Sequence, residues 1–131
     1  WKGAGTAWHL AEAGHQVTIV TPDPMVAKEL TRTAVEGPLR ARLAKLGAKF
    51  FVESALADWK DGKARIVSLL DGSETVIEAD DVVTALTNVA NDSLARELQA
   101  KGIAAVTIGD CIAARHAAAA LYDARRAGMA V

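Results

Sequence analysis

The spacing of hydrophobic and polar positions changes along the chain, and each change predicts a different element. Residues 4–13 place apolar side chains at helical spacing, and Gly14 ends that helix. The β-branched run at 17–21 predicts a strand, which two prolines end. Residues 22–36 are polar and irregular, with one helical turn expected around 26–30. Helix and strand periods therefore alternate from the start.

The same alternation continues through the middle of the chain. Gly37-Pro38 opens a second helix, whose leucines repeat at helical spacing until Gly47. Asp71-Gly72-Ser73 is a hairpin turn, and Asn91 or Asp92 caps a further helix that ends at Gly102. Strands are predicted at 49–53, 65–70, 75–79 and 82–86. This order favours an α/β fold, a Rossmann-like, mostly parallel sheet with an inserted β-hairpin.

The segment at 106–110 is the clearest indication of function. A short β-branched run ends in Gly109-Asp110, and an Ala-rich helix is predicted over 112–128. In doubly wound folds, ligands bind at the carboxyl ends of strands, and a helix N-terminus there favours a phosphate. The segment predicts a nucleotide or flavin site in which Asp110 contacts the ligand. Asp110 as a simple helix N-cap is the alternative.

The glycines at the start fit a dinucleotide fingerprint in only one frame. If Gly3 is the third glycine, the first helix can pack closely on the sheet, whereas a frame starting at Gly3 would put Trp8 there. In the favoured frame, Thr21 replaces the acidic residue that normally holds the adenine ribose. The first strand is then missing, so the chain is interpreted as a piece of a longer protein that exposes a sheet edge.

Composition excludes several classes of protein. The 131 residues are 51% hydrophobic and 24% charged, with a net charge of −1, so neither a nucleic-acid partner nor a membrane span is expected. The single Cys111 excludes an internal disulfide, a Cys-rich zinc site and an iron–sulfur cluster held within this chain. A cytoplasmic location is expected. No catalytic or metal-binding residue is predicted, since no partner can be placed beside His116.

The order of these segments resembles one family across the whole chain. The resemblance covers 15–21, 38–50, 71–73 and 81–86, and the Ile-Gly-Asp-Cys-Ile-Ala-Ala-Arg stretch at 108–115. These motifs are similar to the C-terminal region of the trimethylamine dehydrogenase / 2,4-dienoyl-CoA reductase family, multidomain relatives of old yellow enzyme. Leu86 stands where relatives have a glycine, and Ala114 where they have a proline.

The resemblance implies that this chain and other parts of a longer parent protein bind different cofactors. Residues 1–80 would be an NAD(P)-binding-like domain, and residues 81–131 the C-terminal part of an FAD- or ADP-binding-like domain. Cofactor-binding residues would be Gly3, Thr21, Gly109, Asp110, Cys111, Ile112 and Arg115. Asp110 would accept a hydrogen bond from a ribityl hydroxyl, and the amides of 111–113 would face the pyrophosphate. An N-terminal barrel outside this chain would hold FMN and a [4Fe–4S] cluster.

Two functions follow as hypotheses. The first is a nucleotide-binding fragment of a flavin-dependent NAD(P)H oxidoreductase, which binds FAD or ADP, with NAD(P)H as a further candidate. It would support electron transfer to or from the barrel domain and would not be catalytic alone. The alternative is a non-catalytic, vestigial nucleotide-binding or structural interface module, which the residues at 21 and 86 favour. A homo-oligomer is left open.

Overall fold

The computed structural model describes residues 2–130, so Trp1 lies outside the described residues. The chain divides into two compact units, with the boundary between Ala85 and Leu86. The sequence placed a boundary five residues earlier, at 80/81.

The first unit opens with alternating helices and parallel strands. Helix α1 (Lys2–Glu12) precedes strand β1 (Thr18–Val20), and helix α2 (Glu36–Lys45) precedes strand β2 (Lys49–Phe51). The two strands pair in parallel, with Ile19 opposite Phe50. The segment between β1 and α2 contains a 3₁₀ helix at Lys28–Thr33, slightly later than the predicted turn.

The core of this unit lies between the helices and the parallel strands. Ala4 and Ala7 of α1 and Leu39 and Leu43 of α2 are buried there, together with Val26 from the connecting segment. The spacing of three and four residues places each pair on one helix face, as the sequence indicated. Burial of these side chains fixes the helices against the sheet.

A separate antiparallel sheet follows, in the order β3-β4-β5. Its strands are β3 (Ser54–Lys60), β4 (Lys63–Ser68) and β5 (Glu74–Glu78). The α/β class is confirmed, but the sheet is not mostly parallel: among residues 2–130, two strands pair in parallel and three form this antiparallel sheet. Strand β3 was not predicted, since Ser, Ala, Asp and Lys are weak strand formers. Pairing with β4 forms it, through a turn at Asp61-Gly62 in which both residues have positive φ.

In its described residues, 86–130, the second unit contains helices and no sheet. Helix α3 (Ser93–Ala100) begins after the N-cap Asp92, and a 3₁₀ helix covers Gly109–Cys111. Helix α4 (Ala117–Gly128) begins after His116, so the predicted helix start at 112 was wrong. The predicted strands at 82–86 and 106–108 pair with no strand in the described part of the chain. A strand exists only when another strand accepts its hydrogen bonds.

The second unit buries almost none of its described residues. Gly109 is its one buried residue among those described, while Leu86, Val106 and Leu121 are largely exposed. Across residues 2–130, no helix is both long enough and apolar enough to cross a membrane.

Candidate nucleotide-binding site

A surface cavity of about 330 Å³ lies in the second unit, beside the Gly-Asp segment. Its walls come from the extended segment before α3 and from the loop before α4. The lining residues are Asn88, Val89, Asn91, Asp110, Cys111 and Ala114. Two of the predicted site residues, Asp110 and Cys111, therefore share one cavity.

Gly109 sets the shape of this loop. Its φ of +65° is a conformation that L side chains rarely adopt, and an added Cβ would lie 3.2 Å from the Ala120 Cβ of α4. Its N–H donates to Asp123 Oδ2 at 3.2 Å. Its carbonyl accepts hydrogen bonds from the N–H groups of Ile112, at 3.0 Å, and Ala113, at 3.4 Å. Two of the amides expected to face a pyrophosphate thus have partners within the loop.

Asp110 is exposed and lines the cavity. Its Oδ1 accepts a long hydrogen bond, 3.4 Å, from the Arg115 N–H. The residue does not cap α4, because His116 occupies the N-cap position. The prediction that this carboxylate stands where the long helix begins is therefore wrong, and the loop rather than the helix positions it.

The neighbouring candidates have different surroundings. Cys111 is exposed, and its Sγ donates to the Ile108 carbonyl at 3.2 Å. Ile112 is exposed as well. The Arg115 guanidinium forms an ion pair with Asp123, and its Nε donates to the Ala113 carbonyl at 3.4 Å. The Arg115 guanidinium is therefore held by contacts within the protein.

Gly3 and Thr21 belong to the first unit. An added Cβ on Gly3 would lie 2.8 Å from the Ala85 Cβ, in a segment that pairs with no strand among residues 2–130. Thr21 ends β1: its N–H donates to the Phe51 carbonyl at 2.9 Å, and its Oγ1 accepts from the Asp23 N–H at 3.3 Å. A threonine that caps a turn in this way has one hydroxyl proton left to offer a ribose.

The sequence did not single out three residues that the structure places at this site. Asn88 and Val89 line the cavity, and Asp123 holds the loop from α4. Asn91 was considered only as a helix cap; its Oδ1 accepts from the Ser93 N–H and hydroxyl at 3.3 and 2.8 Å. The two closely spaced asparagines were a usable indication of a polar wall, whereas Asp123 resembles any surface residue of a helix.

A cavity of about 380 Å³ in the first unit is lined by Gln16, Val17, Thr18, Gly47, Lys49, Ile77 and Glu78, none of them a predicted site residue. Within residues 2–130, no group of three His, Cys, Asp or Glu side chains could hold a metal ion.

Comparison with known proteins gives matches only among solved structures, since no family model and no curated protein matches the chain. Histamine dehydrogenase from a Rhizobium species matches 97% of the chain with a TM-score of 0.85 and 26% identity. An amine oxidase acting on 6-hydroxypseudooxynicotine, from Pseudomonas geniculata, matches 96% with a TM-score of 0.85 and 34% identity. A 2-naphthoyl-CoA reductase complex matches 98% with a TM-score of 0.77 and 28% identity.

The matched proteins are much longer than this chain, which covers 21%, 20% and 19% of them. All three are oxidoreductases by name, and the chain is similar to a segment of each. Two of them are named for amine substrates and one for an acyl-CoA substrate. The family that the motifs resemble is likewise named after an amine dehydrogenase and an acyl-CoA reductase.

Proposed function

We propose that this chain is the nucleotide-binding segment of a flavin-dependent oxidoreductase, with residues 109–115 as the cradle of FAD or ADP. The observation that carries the proposal is the Asp110 carboxylate, which is exposed beside a cavity of about 330 Å³ in a loop constrained by Gly109. That volume is at the lower end of the range of small-molecule sites. Similarity to three oxidoreductases supports the redox role.

The side chains at the cavity suit a sugar and a diphosphate. A carboxylate accepts hydrogen bonds from hydroxyl groups, so Asp110 would bind a ribityl or ribose hydroxyl. Arg115 would stand near the diphosphate, because its N–H donates to Asp110 Oδ1 and its guanidinium can bind phosphate oxygens. Asn91 adds an amide whose nitrogen can donate.

The bound cofactor would supply the electron transfer, and this chain would bind and orient it. Asp110 and Arg115 fix the sugar and the phosphates in this account, while the substrate site belongs to the rest of the parent protein. Thr21 offers a ribose one hydroxyl rather than a two-oxygen carboxylate, so FAD or ADP is favoured over NAD(P)H.

The exposed apolar surface of the second unit supports the proposed partner. Leu86, Val89 and Val106 are each at least 80% exposed, and contact with another part of the protein would remove this apolar surface from water. We propose that the remainder of a longer polypeptide covers them, including an N-terminal barrel with FMN and a [4Fe–4S] cluster. Matched proteins about five times as long provide the room for such a barrel.

Binding of FAD and ADP to the purified chain, followed by calorimetry, tests the proposal. Asp110→Ala should weaken FAD binding about tenfold or more, because a hydrogen bond to a charged group contributes about 1.5–3 kcal/mol. ADP lacks the ribityl group, so its affinity should change much less if Asp110 contacts that group. Asp58→Ala, an exposed carboxylate of β3, is the matched control and should leave both affinities unchanged.

A non-catalytic structural module is the second candidate, and one observation favours it. The amides of Ile112 and Ala113 donate to the Gly109 carbonyl, and Arg115 pairs with Asp123, so several phosphate donors already have partners. This candidate predicts no binding of FAD, ADP or NAD(P)H at millimolar concentration. Such a result would overturn the nucleotide-binding proposal.

A further inference from the structure

The carboxylate of Asp123 joins helix α4 to both ends of the 109–115 loop. Its Oδ2 accepts the Gly109 N–H at 3.2 Å and also receives the Arg115 guanidinium. These partners lie fourteen residues and eight residues before it in the chain. One oxygen atom therefore connects the start of the loop to its end.

Asp123 is well placed for this contact because of its neighbour one turn earlier. Ala120 and Asp123 are three residues apart and share a face of α4. The small Ala120 side chain allows the Gly109 backbone to approach, and the carboxylate then takes the Gly109 N–H. The Asp123 side chain is only 17% exposed, so a lost partner would leave a largely buried charge uncompensated.

The two bonds act on Asp110 through the chain between them. Gly109 precedes Asp110 directly, and the Arg115 N–H donates to Asp110 Oδ1 at 3.4 Å. The Arg115 guanidinium is held from two sides, by Asp123 and by the Ala113 carbonyl. The orientation of Asp110 and Arg115 thus depends on Asp123, which does not line the cavity.

We propose that Asp123 is a positioning residue, which holds the 109–115 loop in the conformation that binds the diphosphate-bearing cofactor. This inference rests on the function proposed above and adds a residue that acts through Gly109 and Arg115. Electrostatics alone make the opposite prediction. A carboxylate near a diphosphate repels it, so its removal would strengthen binding if Asp123 contributed only its charge.

The test combines hydrogen exchange with ADP binding on the 131-residue chain. Asp123→Ala should raise the exchange rate of the Gly109 amide at least tenfold and weaken ADP binding at least fivefold. Asp123→Asn keeps an acceptor for Gly109 but loses the ion pair, so it should show a smaller effect on both. Asp58→Asn, which removes a charge on β3, should change neither. Urea midpoints of all variants should show that the chain stays folded.

The outcomes separate this inference from the proposed function. Unchanged Gly109 exchange in Asp123→Ala would overturn the inference, as would equal or tighter ADP binding by either Asp123 variant. Arg115→Gln should weaken ADP binding, and combining it with Asp123→Asn should add little, because each substitution removes the same ion pair. Failure of the unmodified chain to bind ADP would refute the nucleotide function, while Gly109 exchange would still report whether Asp123 holds the turn.

Discussion

Hydrogen bonds at the Asp71-Gly72-Ser73 turn lower the pKa of the Asp71 carboxyl to about 2, from a usual value of 3.8. The Ser73 N–H donates to Asp71 Oδ1 at 3.0 Å, and the Ser73 hydroxyl does so at 2.7 Å. These bonds favour the charged carboxylate in the folded turn. Their contribution to stability is therefore present above about pH 3.8 and is lost as the pH falls through about 2.

Ser73→Ala should raise the pKa of Asp71 part of the way toward 3.8, because the backbone donor remains when the hydroxyl is removed. Titration of the Asp71 carboxyl carbon by NMR measures the change. Ser93→Ala is the matched control, since Ser93 makes the same pair of bonds to the uncharged Asn91. A pKa of Asp71 near 3.8 in the unmodified chain would contradict the structure.

Single residues also show where sequence reasoning was sufficient. The turn at 71–73 was predicted from residue type, because turn geometry restricts a position to very few side chains. Asp123 was not predicted. A carboxylate on a helix surface gains its role only when folding brings Gly109 and Arg115 to it.

At the scale of elements, helix α1 provides a controlled comparison of two glycines. An added Cβ on Gly5 meets nothing within 4 Å, whereas on Gly3 it would overlap the Ala85 Cβ. Gly5→Ala should stabilise the chain by up to about 1 kcal/mol through helix propensity. Gly3→Ala should instead destabilise it by about 1–2 kcal/mol through overpacking.

Urea unfolding monitored by circular dichroism measures this difference. Both substitutions add one methyl group to the same helix. The change in helix propensity is therefore the same in both variants and cancels when their free energies of unfolding are compared. Equal stabilisation by the two variants would show that α1 does not pack against Ala85.

Helices were easier to predict than strands. The spacing of apolar residues and the terminal glycines are local features of the sequence. They placed helices α1, α2 and α3 within a few residues of their observed bounds. The segments at 82–86 and 106–108 have the composition of strands but no strand to pair with in residues 2–130. Strand formation is a property of two segments, and one segment cannot indicate whether its partner is present.

For the whole molecule, hydrogen exchange should separate the two units. Amides of the paired strands and of α1 and α2 should be protected, because the core around Leu43 is fully buried there. Amides of 86–130 should exchange much faster, since that unit buries no large side chain. Uniformly strong protection along the chain would contradict this expectation.

Two leucine substitutions provide an internal control for that experiment. Leu43→Ala should cost about 2–5 kcal/mol and accelerate exchange throughout the first unit. Leu94→Ala, at a position 66% exposed, should change stability by less than about 0.5 kcal/mol.

The amino-acid sequence by itself determined helices α1 to α3 and the hairpin turn at 71–73, because each depends on residues close together in the chain. Only the tertiary structure decided that β3 to β5 form an antiparallel sheet, that α4 begins at Ala117, and that Asp123 holds Gly109 and Arg115. The physical reason is that hydrogen bonds and ion pairs between distant residues form according to distance in space, which the order of residues does not specify.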